Sequence, residues 1–345
     1  MTDAPPQISV LVAVRDMERF LPETLRSLEA QTLPDFETIA VDDGSHDGTG
    51  VALARFAARG TPSRPVTLFR TSGVGLAAAR NQALAAAAGE FVMLLDGDDV
   101  LPPGLMARAV VALGRAPGAD LAFPVAEHVD PDGAPLGFRS PVPAGPLTAS
   151  SILLEQPIHT DSGAVVRARA ARAAGGFDEA LSGCVGLDFW CRILARNPGG
   201  ALCLADTAVR YRKHPAQITG SAARMERNFH AFLDRGAAAV APPGSVLRRH
   251  ALARQRLFWA SVAYAEDDLA YARALTAAAW RAAPLYLARL PYAYHRLLVS
   301  GASLLPPRWH DALRRQARRA VLRRRPTLHA GRPAGGGGAR PRGTG

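Results

Sequence analysis

Lysine is almost missing from this chain: Lys213 stands alone among 41 basic residues, and arginine supplies the rest. Cysteine is scarce too. Cys184, Cys191 and Cys203 form no C-x-x-C pair and no finger spacing. That excludes a disulfide framework and a structural zinc site, and it suits reduced thiols in a reducing compartment. No stretch reaches the ~18 uncharged apolar residues of a membrane span; LLVSGASLLPP, from Leu297, is too short. The opening MTDAPPQISV lacks a basic segment followed by an apolar one, so no secretory signal is expected and a cytoplasmic setting is. The glycine fingerprint G-x-G-x-x-G is also missing. RDMERF follows the first apolar run, and GVG at Gly73 to Gly75 comes too late, which argues against a dinucleotide-dependent oxidoreductase.

Charge is plentiful but unevenly placed. The net charge is +11, yet from Arg308 onward eleven Arg face a single Asp, so the body of the chain is nearly balanced. The high pI therefore belongs to a tail rather than to a basic groove. Within that tail WHDALRRQARRAVLRRR, Trp309 to Arg325, places Trp309, Leu313, Ala317 and Val321 at helical spacing with arginine between them. Such a helix suits peripheral contact with an anionic membrane, at the inner face of the plasma membrane. No base-reading motif accompanies it, so no specific nucleic-acid partner is expected.

The hydrophobic content of 48% supports a sizeable core. Short apolar runs alternate with helical patterns. Strands are expected at Ile8 to Val14, Glu37 to Val41, Val66 to Phe69 and Phe91 to Leu95. Helices are expected around Phe20 to Leu28, at Thr49 to Ala58, Leu76 to Ala88 and Leu105 to Leu113. This alternation predicts an α/β fold with a mainly parallel sheet flanked by helices. Beyond Pro124 the pattern loosens. Pro131 to Pro146 reads as a loop, Ser150 to Glu155, Arg167 to Ala174 and Leu187 to Ala195 as helices, and two short strands are expected around Leu202 and Val209. From Ser221 to about Arg325 the pattern is mostly helical. Residues 326–345 are low-complexity and read as disordered. The expected organisation is thus 1–220, 221–325 and 326–345.

Both acidic clusters fall at strand ends: Asp42 and Asp43 close the second strand, and Asp96, Asp98 and Asp99 crowd around Gly97 after the fourth. Like charges this close favour a cation, and ligands of parallel sheets sit beyond the carboxyl ends of the strands. A D-x-D turn can hold Mg²⁺ or Mn²⁺ that also touches phosphate oxygens. The other pair can accept from ribose hydroxyls or a base N–H. Together they describe a site for a nucleotide diphosphate.

The order of segments adds more than any one motif. ISVLVAVRD, FETIAVDDGSHDGT, GVGLAAARNQAL, FVMLLDGDDVLPPG, GGFDEAL, LDFWCRI and YRKHPAQIT, over residues 7 to 220, resemble the family 2 glycosyltransferases of GT-A fold. The resemblance implies an inverting transfer from a nucleotide-diphosphate sugar, a UDP-sugar, to a glycan or lipid-linked acceptor in cell-surface polysaccharide synthesis. It implies that Asp42 and Asp43 contact base and ribose, and that Arg80 and Asn81 lie near the nucleotide and its phosphates. It assigns Asp96 to ribose and metal, Asp98 to the metal, and His214 to the diphosphate or metal. On its own residue type, His214 reads equally as structural.

The general base is where the sequence departs from the family. Members carry a Glu-Asp pair where this chain has Val185 and Gly186, and Asp188 is the nearest carboxylate. Asp188 reads either as the base or as a helix N-terminal charge. If neither it nor Asp178 or Glu179 serves, the chain is a nucleotide-binding module with impaired catalysis.

Overall fold

The computed structural model describes residues 5–288, apart from 215, 216 and 218–220. The basic helix expected at Trp309 to Arg325 and the tail at 326–345 lie outside the described residues. β1 (Ile8–Val14) has every residue buried, as suits a mainly apolar run in a central parallel strand. It pairs in parallel with β2 (Phe36–Asp42) on one side and β4 (Phe91–Leu94) on the other, and β2 pairs in parallel with β3 (Val66–Arg70).

The alternation of side chains along β1 builds a core on each face of the sheet. Ile8, Val10, Val12 and Val14 pack with Leu21, Leu25 and Leu28 of α1 (Leu21–Glu29), and with Leu105, Met106 and Leu113 of α4 (Leu105–Arg115). Leu53 of α2 (Thr49–Ala57) joins the same layer. Leu11 and Ala13 pack on the opposite face with Ala77, Ala79 and Ala83 of α3 (Leu76–Ala86). At roughly 1.5–3 kcal/mol for each large aliphatic side chain buried, β1 is the strand on which both layers depend.

The second half of the sheet departs from the sequence expectation. β5 (Leu121–Val129) and the three-residue β7 (Val165–Arg167) were not anticipated, and β6 (Pro135–Arg139) lies inside the expected loop. The strand order is β3-β2-β1-β4-β7-β5-β6, with β8 (Ala201–Arg212) on β5. β7 runs antiparallel to both β4 and β5. The two strands expected near Leu202 and Val209 are one long β8, parallel to β5, with a register shift opposite Pro124 and Val125. The proline inside β5 falls at that irregularity, where a residue without an N–H is tolerated.

Of the helices that follow, α5 (Ala149–Glu155) is capped by Thr148, whose Oγ1 accepts from Ser151 N. α6 (Ala168–Ala173) and α7 (Val185–Arg196) lie where helices were expected. α8 (Ala222–Asp234), α9 (Val246–Ala265), α10 (Leu269–Ala282) and the short α11 (Pro284–Leu287) form the helical region after the sheet. They do not stand apart from it. Phe229, Phe232, Trp259 and Tyr264 share one core with Phe189 and Trp190 of α7 and with the α3 face of the sheet.

No helix among the described residues is long and apolar enough to cross a membrane.

Candidate active site

Because β1 lies between β2 and β4 and all three are parallel, the two acidic corners leave the same edge of the sheet, one strand apart. At the first corner Asp42 is 2% exposed. Its Oδ1 accepts from Ser45 N at 2.9 Å. Its Oδ2 is buried with no hydrogen-bond donor, and Arg70 Nε is 3.7 Å away. A buried carboxylate oxygen without a donor is costly, and this one lies against α2, 2.8 Å from the place a Cβ on Gly50 would take.

Asp43 is occupied differently. Its Oδ1 accepts from Thr71 Oγ1 at 2.6 Å and Val74 N at 2.7 Å, and its Oδ2 from Gly75 N at 2.9 Å. Both oxygens are spent on folding the 71–75 loop, in which Gly73 and Gly75 take φ of 91° and 97°, a conformation natural to glycine. In the structure Asp43 thus pins the loop that leads into α3.

At the second corner a Cβ on Gly97 would lie 2.6 Å from Val14 Cγ1, so no side chain fits between the acidic residues. Asp99 is wholly buried. It accepts from Thr160 Oγ1 at 2.8 Å and from Arg212 N at 3.0 Å. Burial, with Asp98 and Asp96 nearby, pushes its pKa well above the usual carboxylate range. Asp99 therefore ties the turn to β8. Asp98 meets His214, with Oδ2 and Nε2 3.0 Å apart, and Gln217 Nε2 donates to the same Oδ2 at 3.2 Å. The His214 ring packs on Phe20 with centroids 4.6 Å apart.

Asp96 turns the other way, to Arg80. This arginine is 3% exposed, and Nη2 donates to Asp96 Oδ1 at 2.6 Å while Nη1 donates to Asp161 Oδ2 at 2.8 Å. Burial works against the guanidinium charge, but the two carboxylates outweigh it and raise its pKa. Burial likewise lifts Asp96 to about 6, against the opposing pull of Arg80. Asp161 Oδ1 accepts from Trp190 Nε1 at 2.9 Å.

Asp161 was not singled out in the sequence. It precedes the three-residue β7, and no short motif marks it. The hydroxyls beside it were the available signal: Thr160 donates to Asp99, and Ser162 Oγ accepts from Asp96 N at 3.1 Å.

Two expected site residues serve elsewhere. Asn81 does not face the acidic corners. Its Nδ2 donates to Phe177 O at 2.9 Å and to Glu179 Oε1 at 2.8 Å, and its Oδ1 accepts from Phe177 N at 2.8 Å, so it clamps the GGFDE loop to α3. Asp188 is fully buried. Its Oδ2 accepts from Arg192 Nη2 at 2.6 Å and Nε at 2.9 Å. Its Oδ1 lies 1.5 Å from the place a Cβ on Gly236 would take. Burial raises its pKa against the pull of Arg192. The carboxylate expected as the base thus faces Arg192 and the helical region, with no surface from which to take a substrate proton.

Of the ion set expected from Asp96, Asp98 and His214, the structure brings Asp98 and His214 together, while Asp96 gives Oδ1 to Arg80 and keeps a side chain 33% exposed. No cluster of three or more His, Cys, Asp or Glu fit for an ion occurs among the described residues. One carboxylate and one imidazole, 3.0 Å apart, still fit a divalent ion that completes its shell from phosphate oxygens and water.

Comparison with known proteins bears on the fold and the family. Residues 9–174 match the family described as Glycosyl transferase family 2. The uncharacterized glycosyltransferase EpsJ of Bacillus subtilis is 35% identical over 103 residues, which span 30% of this chain and 29% of that protein. The O-antigen biosynthesis protein RfbC of Myxococcus xanthus is 31% identical over 189 residues, 54% of this chain but 14% of its own length. This chain therefore spans less than a third of either relative. Among solved structures, the mannosyltransferase PcManGT of Pyrobaculum calidifontis, in complex with GDP-Man and Mn²⁺, superposes with a TM-score of 0.58 at 22% identity, over 93% of this chain and 86% of that one. S. aureus TarS 1-349, in complex with UDP-GlcNAc, gives 0.55 at 18% identity, over 92% and 90%. These likenesses show the GT-A fold, and residues 9–174, which carry both acidic corners, form a family 2 glycosyltransferase domain.

Proposed function

We propose that the chain transfers a glycosyl group from a nucleotide-diphosphate sugar, a UDP-sugar, to a glycan or lipid-linked acceptor of a cell-surface polysaccharide. The observation that carries this reading is the pairing, along one sheet edge, of the donor-less Asp42 Oδ2 with the Asp98–His214 couple. The first suits a nucleobase or ribose donor group. The second suits Mg²⁺ or Mn²⁺ bound with a diphosphate. That ion, when bound, would neutralise charge growing on the leaving diphosphate. An acceptor hydroxyl then displaces the nucleotide in line, with inversion at the anomeric carbon.

The nucleotide sugars and Mn²⁺ in the structural neighbours, and the O-antigen role of RfbC, support donor, ion and acceptor classes. A place in the cytoplasm, at the inner face of the plasma membrane, fits the arginine-rich stretch from Trp309, which contacts anionic lipid in this reading. The competing reading, a nucleotide-binding module with impaired catalysis, is favoured by Val185 and Gly186 standing where a base is expected.

A thermal-shift screen of UDP, UDP-GlcNAc and GDP-mannose, with and without Mn²⁺, tests the proposal. Stabilisation that needs Mn²⁺ and disappears in Asp98→Ala supports it. A chain indifferent to every nucleotide, whatever the ion, rules it out. Binding without nucleotide release, across a broad acceptor panel, would leave the module reading.

A further inference from the structure

Gly186 is the point of departure. A Cβ at this position would lie 1.9 Å from Asp161 Oδ1 and 2.1 Å from Oδ2. The Asp161 carboxylate therefore fills the space a side chain at 186 would claim, and the glycine and the aspartate are mutually required. Asp161 reaches it from the opposite direction, on the lead into antiparallel β7, while 186 lies in the first turn of α7.

The geometry points to Asp161 as the general base of the transfer, a role that rests on the transferase reading above. Three observations converge on it. Its side chain is 21% exposed, whereas that of Asp188 is wholly buried. It lies against the first turn of a twelve-residue helix, in the space a side chain at 186 would take. Arg80 and Trp190 hold one oxygen each, which fixes the carboxylate while each oxygen keeps further acceptor capacity. Asp96, also on Arg80, belongs to the D-x-D turn with Asp98 and so to the donor side. Asp161 stands across the guanidinium from it.

In the step this assigns, the acceptor O–H gives its proton to an Asp161 oxygen and the O–H electron pair stays on the acceptor oxygen. That oxygen bonds to the anomeric carbon. The bond from that carbon to the diphosphate breaks, its electron pair leaving with the nucleotide.

Relocating the carboxylate tests the assignment. UDP binding with Mn²⁺ is measured by calorimetry. Nucleotide release is measured from UDP-GlcNAc and GDP-mannose, with a glycan and membrane-lipid extract as acceptor. Asp161→Asn is expected to keep UDP affinity within about threefold while turnover falls roughly 10²- to 10⁴-fold. Gly186→Ala, which removes no charged group, is expected to displace Asp161 and lower turnover at least tenfold while UDP affinity stays within about threefold. It serves where Asp161→Asn fails to fold. The double variant D161A/G186D, with a carboxylate back in the same space, is expected to recover at least tenfold over D161A.

Wild-type turnover retained in Asp161→Asn or in Gly186→Ala overturns the base assignment alone. Loss of UDP affinity in step with turnover overturns it in favour of a role in positioning Arg80. Wild-type protein that binds UDP yet releases no nucleotide from any donor overturns the base and the transferase reading together.

Discussion

Arg80 shows how far stability alone falls short of explaining this site. Moving a guanidinium and two carboxylates out of water costs several kcal/mol per ion, and a well-packed apolar substitute is often as stable. An arginine 3% exposed between Asp96 and Asp161 is thus better understood as holding two carboxylates in place than as a fastening. Asp188 is the opposite case. It is equally buried, but its partners are Arg192 and, beyond it, the carbonyls of Ala174 and Gly176, to which Arg192 also donates. Its work is structural. Asp188→Asn should lower stability by about 2–4 kcal/mol, because a buried ion pair loses one member. Turnover per folded molecule should stay near the wild-type rate. Denaturant titration beside a nucleotide-release assay checks both parts, and a loss of turnover at unchanged stability would return Asp188 to the chemistry.

At the scale of elements, the 71–75 loop is held by one side chain. Asp43 accepts from Thr71, Val74 and Gly75, and the loop leads directly into α3, which carries Arg80. Asp43→Ala should release the loop and weaken UDP binding about tenfold or more, with the melting temperature lowered by only a few degrees. Calorimetry and a thermal melt separate the two effects; an affinity within twofold of wild type would contradict the pinning role.

The parts of the fold that were legible in the sequence are those whose signal is local. β1, β2 and β4 are short, mainly apolar runs, and their observed bounds differ from the expected ones by a residue at most. β5 was hidden by Pro124 and by polar Glu127 and His128, all accommodated by pairing with β8 that no local pattern reports. β7 is three residues long, too short for any period to register. The site divides the same way. Asp42, Asp96 and Asp98 announce themselves by clustering at strand ends. Asp161 depends on a chain reversal and on the missing side chain at 186, neither of which shows until the strands are assembled.

At the scale of the molecule, the boundary expected near residue 220 separates patterns but not cores. Phe229, Phe232 and Trp259 pack with Phe189 and Trp190. Asn228 fills the space beside Gly183, and Arg235 pairs with Asp178 in the GGFDE loop. A chain cut after residue 220 exposes the apolar face of α7, a patch that monomers rarely leave open. It should be insoluble or should melt more than ~10 °C below the full chain, a shift equivalent to a few kcal/mol at this size. Equal melting temperatures for the two would show that the helical region is an independent unit.

The charge inventory has one last consequence. With arginine in nearly every basic position, Lys213 is the one lysine. It sits at the end of β8, its N–H donating to Val129 O at 2.9 Å and its ammonium 4.1 Å from the Tyr211 ring centroid. A lysine-specific protease therefore has a single bond to cut, between Lys213 and His214, and must first peel that strand end away from β5. The molecule carries its own clock for the opening of this corner. Two fragments, and the time they take to form, record how firmly His214 is held, with no label added.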